Sequence, residues 1–168
     1  GVISDDVELG GTWSTITDAG EATNLNLVYM KNYDATDVHD LTEASRRGRQ
    51  EAMEALAALK AVVPGFEHAK LRNFSMTLGV RDSRKINGRC RLSEGDVTGQ
   101  AEFTDSIGIF PEFLDGYNVL VLPSTGRYFQ VPYGCLVPDA VDNLLVAGRA
   151  VSGDRISHTA MRNMMACT

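Results

Sequence analysis

Apolar positions along the chain change their spacing from one segment to the next. In "NLNLVYMKNY" they alternate loosely among strand formers, which predicts a strand over Asn24 to Lys31. The spacing then becomes helical: Ala52, Met53, Leu56, Leu59 and Val63 recur on one face, and Pro64-Gly65 ends the run. Asp40 followed by Glu43 has the spacing of a capping box, so the helix is expected to begin there. Its first turns, "EASRRGRQE", are mostly polar, so docking is expected mainly through the second half. The most regular alternation comes next, with Phe74, Met76, Leu78 and Val80 interleaved with Ser75, Thr77 and Gly79. It predicts a strand with one apolar face and one face of small residues, the latter leading to Arg81.

Shorter signals fill the rest. "LSEGDV" predicts a helical turn capped by Ser93, and "TDSIGIF" a short strand. "GYNVLVLPSTGRYFQVPY" predicts a strand, a turn at Ser124 to Gly126 and a second strand at Tyr128 to Val131. The C-terminal stretch "NLLVAGRAVSGDRISHTAMRNMMACT" predicts a buried strand Leu144 to Ala147, a glycine turn, and a helix from about Ser157 with Met161, Met164 and Met165 at helical spacing. One long helix with strands not joined by regular crossover helices predicts an α+β fold. The final strand-turn-helix is a different sort of element and reads as a piece of a second domain.

Composition narrows the function classes. The 168 residues are 43% hydrophobic and 23% charged, and no apolar run approaches the roughly 20 residues of a membrane span. A net charge of −6, from 22 acidic and 16 basic residues, disfavours nucleic-acid and membrane-surface binding. Basic residues nevertheless cluster in "RRGRQ" and "RDSRKINGRCR", so a local anion site stays open. Cys90, Cys135 and Cys167 are widely separated and odd in number, with no metal-ligand spacing. A reduced, cytoplasmic protein without a structural metal is the expectation.

Three stretches carry candidate chemistry. In "GVRDSRK" a small-residue strand face would let a flat ligand lie close, with Arg81 and Arg84 offering forked donors to a carboxylate or phosphate and Ser83 a hydroxyl. The commoner role of such arginines is to pair with nearby acids such as Asp82 or Glu94. In "YFQVPYGCLVP", Tyr133 has the chemistry to donate a proton, although a half-buried anchoring tyrosine is more usual. Cys135 has no adjacent base. In "LLVAGRAVSGD", Gly148 allows close approach of backbone to a ligand, and Arg149 and Ser152 offer polar contacts. The helix from Ser157 would turn its free N–H groups toward the same place. His158, near its start, titrates in a useful range, while a lone histidine is more often structural.

The blocks "TLGVRDSRKINGRCRLSEGDV", "YFQVPYGCLVP" and "NLLVAGRAVSGDRISHTAMRNMMACT" occur in the order seen in FAD-dependent oxidoreductases. The chain resembles the glutathione-reductase and succinate-dehydrogenase-like flavoproteins, which typically read G-x-R-x-S-R-R-I-x-G, then I-P-Y with L-x-P, then N-L-L-V-A-G-R. The resemblance implies a β-rich substrate domain over residues 1–138 and, over 139–168, the returning part of a Rossmann-like FAD domain. It places Gly148, Arg149 and Ser152 beside FAD. Arg81 and Arg84 become substrate or anion contacts, and Tyr133 and His158 are further catalytic candidates. Two departures stand out. Arg149 occupies the position where many flavoproteins carry an Asp for the ribityl hydroxyls, and no G-x-G-x-x-G loop precedes the blocks, "ELGGTW" lacking the third glycine. The expectation is a fragment whose own FAD binding is weak or absent, acting on a small-molecule substrate once joined to the missing FAD domain or a partner chain. The rival expectation is a non-catalytic binding or interaction module, or a subunit completed by a partner.

Overall fold

A computed structural model describes residues 9–12, 15–117 and 119–167. It is a mixture of helices and small antiparallel sheets, as an α+β fold requires. Two compact units divide at Val80/Arg81, so residues 139–167 pack within the same unit as residues 81–138.

The first unit holds four short strands and one long helix. Strand β1 (Leu9–Thr12) pairs antiparallel with β4 (Asn26–Val28), and β2 (Thr15–Ile16) with β3 (Ala22–Thr23). The expected strand over Asn24–Lys31 is thus realised only at its centre. Asn24 takes a positive φ of 52°, which makes it a turn residue between β3 and β4. Helix α1 (Val38–Val62) ends where Pro64-Gly65 predicts. It begins earlier than expected because the cap is Asp37, whose carboxylate accepts from the N–H groups of His39 and Asp40 at 2.7 and 3.1 Å. Its buried face is Ala44, Glu51, Ala55 and Ala58, whereas Met53 is exposed. Small residues let the helix lie close, and Gly48 leaves room for the side chain of Met30, 3.6 Å from where a Cβ would stand. Docking therefore involves both halves of the helix.

The regular alternation over residues 74–80 does not make a strand. Among the described residues no neighbouring strand offers it a ladder, and the Val80 N–H turns back to the Leu78 carbonyl at 3.0 Å. Met76 consequently stands 95% exposed.

The second unit forms around two hairpin-like pairs. Strand β5 (Ser106–Pro111) pairs with β8 (Tyr128–Pro132), placing Phe110 opposite Phe129 with ring centroids 6.2 Å apart. Strand β6 (Leu114–Gly116) pairs with β7 (Val119–Val121). Tyr117 follows at φ 53°, the left-handed conformation a two-residue hairpin turn requires. Phe129 and Val131 point into a core with Leu92, Leu114 and Cys135, following the period-2 pattern of β8.

Helix α2 (Glu94–Thr98) starts at the expected Ser93. That residue's hydroxyl accepts from the Asp96 N–H, while the Ser93 N–H donates to the Asp96 carboxylate at 2.8 Å. Helix α3 (Ser157–Met161) begins at the expected residue but stops after five positions, and α4 (Met164–Cys167) follows as a separate turn. Met161 is core; the side chains of Met164 and Met165 lie outside the described set.

The expected buried strand over Leu144–Ala147 is the clearest correction. The segment is irregular, and Leu144 and Leu145 are 45% and 55% exposed. A parallel-sheet strand needs flanking strands on its edges, and here the Val146 N–H to the Leu136 carbonyl, 2.9 Å, is the tie to the rest of the unit that the backbone provides. No helix among the described residues is long and apolar enough to cross a membrane.

Candidate functional site

The site is built where α3 meets the segment that opens the second unit. Asp154 anchors it. One carboxylate oxygen accepts from the Glu94 N–H at 2.8 Å and the other from the Ser157 N–H at 2.7 Å, so one side chain holds the starts of α2 and α3 together. Burial would raise the Asp154 carboxyl, but these N–H donors outweigh it and hold it below the usual range. The Ser157 hydroxyl adds a bond to the Leu92 carbonyl at 2.9 Å. Gly116 lets β6 approach α3, since a Cβ there would stand 3.0 Å from Cγ2 of buried Thr159.

His158 follows on α3 and is 2% exposed. Its Nε2 lies 3.3 Å from the Arg81 carbonyl oxygen and 3.5 Å from Oδ1 of Asp82. A carbonyl can only accept, so Nε2 carries the proton and Nδ1 is a bare acceptor. That Nδ1 is buried and has no hydrogen-bond partner among the described residues. Burial dominates the histidine's ionisation and lowers its pKa, against the pull of Asp82, so the ring is neutral near pH 7.

Asp82 sits at the centre of the surrounding polar groups. Tyr117 donates to its Oδ2 at 2.8 Å, and the Lys85 ammonium lies 3.1 Å from both oxygens. Burial alone would raise the carboxyl; these two donors win, and it stays ionised below its ordinary value. Burial, and then the bond to Asp82, push the Tyr117 phenol up. The Arg155 guanidinium lies 3.8 Å over the Tyr117 ring. On the other side Arg162 donates to the Asp115 carbonyl at 2.5 Å and its carboxylate at 3.2 Å, and Arg81 approaches the same carboxylate at 3.6 Å. Four cationic side chains thus surround two carboxylates and one neutral histidine. This local positive excess stands out against a chain of net charge −6.

The structure brings together Arg81 and His158. Asp82, Asp115, Tyr117, Arg155 and Arg162 join the group and were not expected as site residues, since the contacts that link them to one another cross 35 or more positions of chain and leave no local pattern. Arg81 pairs with Asp115, and Asp82 with Lys85. Ser83 and Arg84 are exposed. Tyr133 is 44% exposed in a 3-10 turn, its N–H donating to the Asp105 carbonyl at 2.9 Å, on the side where β8 ends.

The glycine turn divides the remaining candidates. Gly148 has φ +77° and nothing within 4 Å of where a Cβ would stand, so its backbone is open to close approach. Arg149 beside it is exposed. Ser152 is 2% exposed, with its N–H bonded to the Cys135 carbonyl at 3.0 Å and its carbonyl accepting from the Leu92 N–H at 3.4 Å. The second unit thus presents an open glycine backbone at Gly148 and a buried histidine nitrogen with no partner among the described residues.

The family model for FAD dependent oxidoreductase matches residues 5–168. The chain belongs to that family, in which FAD is the cofactor. No curated protein and no solved structure matches it.

Proposed function

We propose that this chain supplies the substrate-side portion, residues 1–138, and the flavin-return segment, residues 139–168, of an FAD-dependent oxidoreductase that moves hydride between a small-molecule substrate and flavin. The supporting observation is the buried, unpartnered Nδ1 of His158 beside the Asp82–Tyr117–Lys85 network. An unpaired buried acceptor costs about 1–3 kcal/mol, and a substrate hydroxyl or amine donating to Nδ1 would remove that cost. Arg81 and Arg162, held against Asp115, would orient an anionic group on the substrate, and Tyr117 and Asp82 would keep the imidazole in the tautomer that accepts at Nδ1.

FAD, when bound, supplies the two-electron chemistry. Gly148 and Arg149 fit contact with such a ring system, because the glycine backbone is open and the arginine exposed. Ser152 is enclosed and holds the turn in place from behind. The sequence shows no G-x-G-x-x-G loop, so a dinucleotide-binding part, in the same or a partner chain, would complete the cofactor site and cover Leu144 and Leu145. That exposed pair also favours the second reading, a subunit or interaction module that binds a partner without catalysis.

Flavin absorbance and fluorescence, followed on the chain alone and after adding a dinucleotide-binding domain from the same parent, separate the two. Flavin uptake only after mixing, weakened by Gly148→Ala well beyond its effect on folding, supports the split cofactor site. Complex formation without flavin uptake leaves the interaction module, and neither event would sink both readings.

A further inference from the structure

Cys90 and Cys135 are far apart in sequence but adjacent in the fold. The Cys90 N–H donates to the Gly134 carbonyl at 3.1 Å, which lays the Cys90 backbone directly against the Gly134–Cys135 peptide. With standard bond lengths that contact holds the two Cα atoms within about 7 Å, near the outer edge of the disulfide range. Gly134 is part of the reason: a Cβ there would stand 2.9 Å from Cβ of Cys90, so only glycine lets the two segments come this close. After burial, the neighbouring Cys90 side chain is the largest influence on the Cys135 thiol. Cys135 is fully buried, Cys90 is partly exposed, and both are free thiols.

We propose that Cys90 and Cys135 form a reversible dithiol–disulfide pair, oxidised by hydroperoxides and re-reduced by low-molecular-weight thiols. Cys90 is the group that oxidant reaches first. Its sulfur attacks one peroxide oxygen, the O–O bond breaks, and Cys90 becomes a sulfenic acid with release of one water (an alcohol from an organic peroxide). The Cys135 sulfur then attacks the sulfenic sulfur, the S–O bond breaks, and a second water leaves carrying the thiol proton. Each sulfur gives up one electron and the peroxide takes both. Burial, then the neighbouring Cys90, push the Cys135 thiol up to about 12, so the second step is slow at neutral pH and quickens with pH. The bond would lock the segment after Arg81 to the one after β8, directly behind Ser152 and the glycine turn.

Stoichiometric hydrogen peroxide on the full chain, followed by denaturation, alkylation and peptide mapping, tests it. The expected product is one cross-linked Cys90–Cys135 peptide with Cys167 alkylated, fully reversed by dithiothreitol. Cys135→Ser should accumulate a dimedone-trapped sulfenic acid at Cys90, and Cys90→Ser should leave Cys135 fully alkylatable, each in chains whose circular dichroism is unchanged. Bridges through Cys167, or all three thiols surviving peroxide that oxidises free cysteine, would overturn the pairing.

Discussion

Gly88→Ala is a demanding test of how the second unit is put together. Gly88 forms an isolated antiparallel bridge with Pro138, and an added Cβ would stand 2.7 Å from Cβ of Ser152 and 3.0 Å from the carbonyl oxygens of Cys90 and Gly134. Carbon–carbon contacts are normally about 3.5–4.0 Å, so roughly 1 Å of displacement is needed. None of the three neighbours is the free end of a flexible side chain. Moving the Gly134 carbonyl strains its bond from the Cys90 N–H, and moving Ser152 strains its bonds to Cys135 and Leu92. Overpacking of this kind costs about 1–3 kcal/mol, and one weakened internal hydrogen bond adds about 1. The sum, about 2–4 kcal/mol, is a large part of the roughly 5–15 kcal/mol that holds a small domain. A urea titration followed by alkylation of the buried Cys135 thiol reads this unit directly, and its midpoint should fall by roughly 1–2 M. Gly95→Ala is the matched control. Its Cβ meets only the Ser93 hydroxyl, at 3.6 Å, and it lies within α2, so alanine should raise stability by about 0.4–1 kcal/mol. A Gly88→Ala midpoint equal to wild type would refute the packing of this segment against Ser152.

Three further outcomes follow from the same geometry. His158 is depressed by burial, so the unfolded chain takes up its proton first: stability should hold above about pH 6.5, the unfolded value, and fall as pH drops toward the folded pKa. Urea midpoints measured across pH 8 to 5 should show that slope, and His158→Gln should flatten it. Tyr117→Phe removes a donor to Asp82, so the Asp82 carboxyl should rise toward its ordinary value in a carbon-13 NMR titration; an unmoved titration would remove Tyr117 from the network. Ser93→Ala opens the α2 capping box and should cost about 1 kcal/mol in the same urea assay, with a negligible change indicating that the tertiary bond from Asp154 suffices to start the helix.

What the sequence determined by itself is what neighbouring residues decide between them. The end of α1 at Pro64-Gly65, the Ser93–Asp96 box of α2 and the period-2 burial of β8 all depend on groups within a few positions of one another. The ordered blocks that place the chain among FAD dependent oxidoreductases are likewise a property of the linear text. Alternation over residues 74–80 and the apolar run at Leu144 looked equally local and were not. A strand exists only when another strand takes its N–H and C=O groups, and among the described residues none does so there. The site followed the same rule. Arg81 and His158 were legible as residue types, but their meeting depends on α3 being held by Asp154, and the Asp82–Tyr117 and Arg162–Asp115 contacts join hairpin, helix and loop. The tertiary structure alone decided that His158 is enclosed, neutral and short of one partner, because burial and hydrogen bonding are properties of surroundings that no single stretch of chain contains.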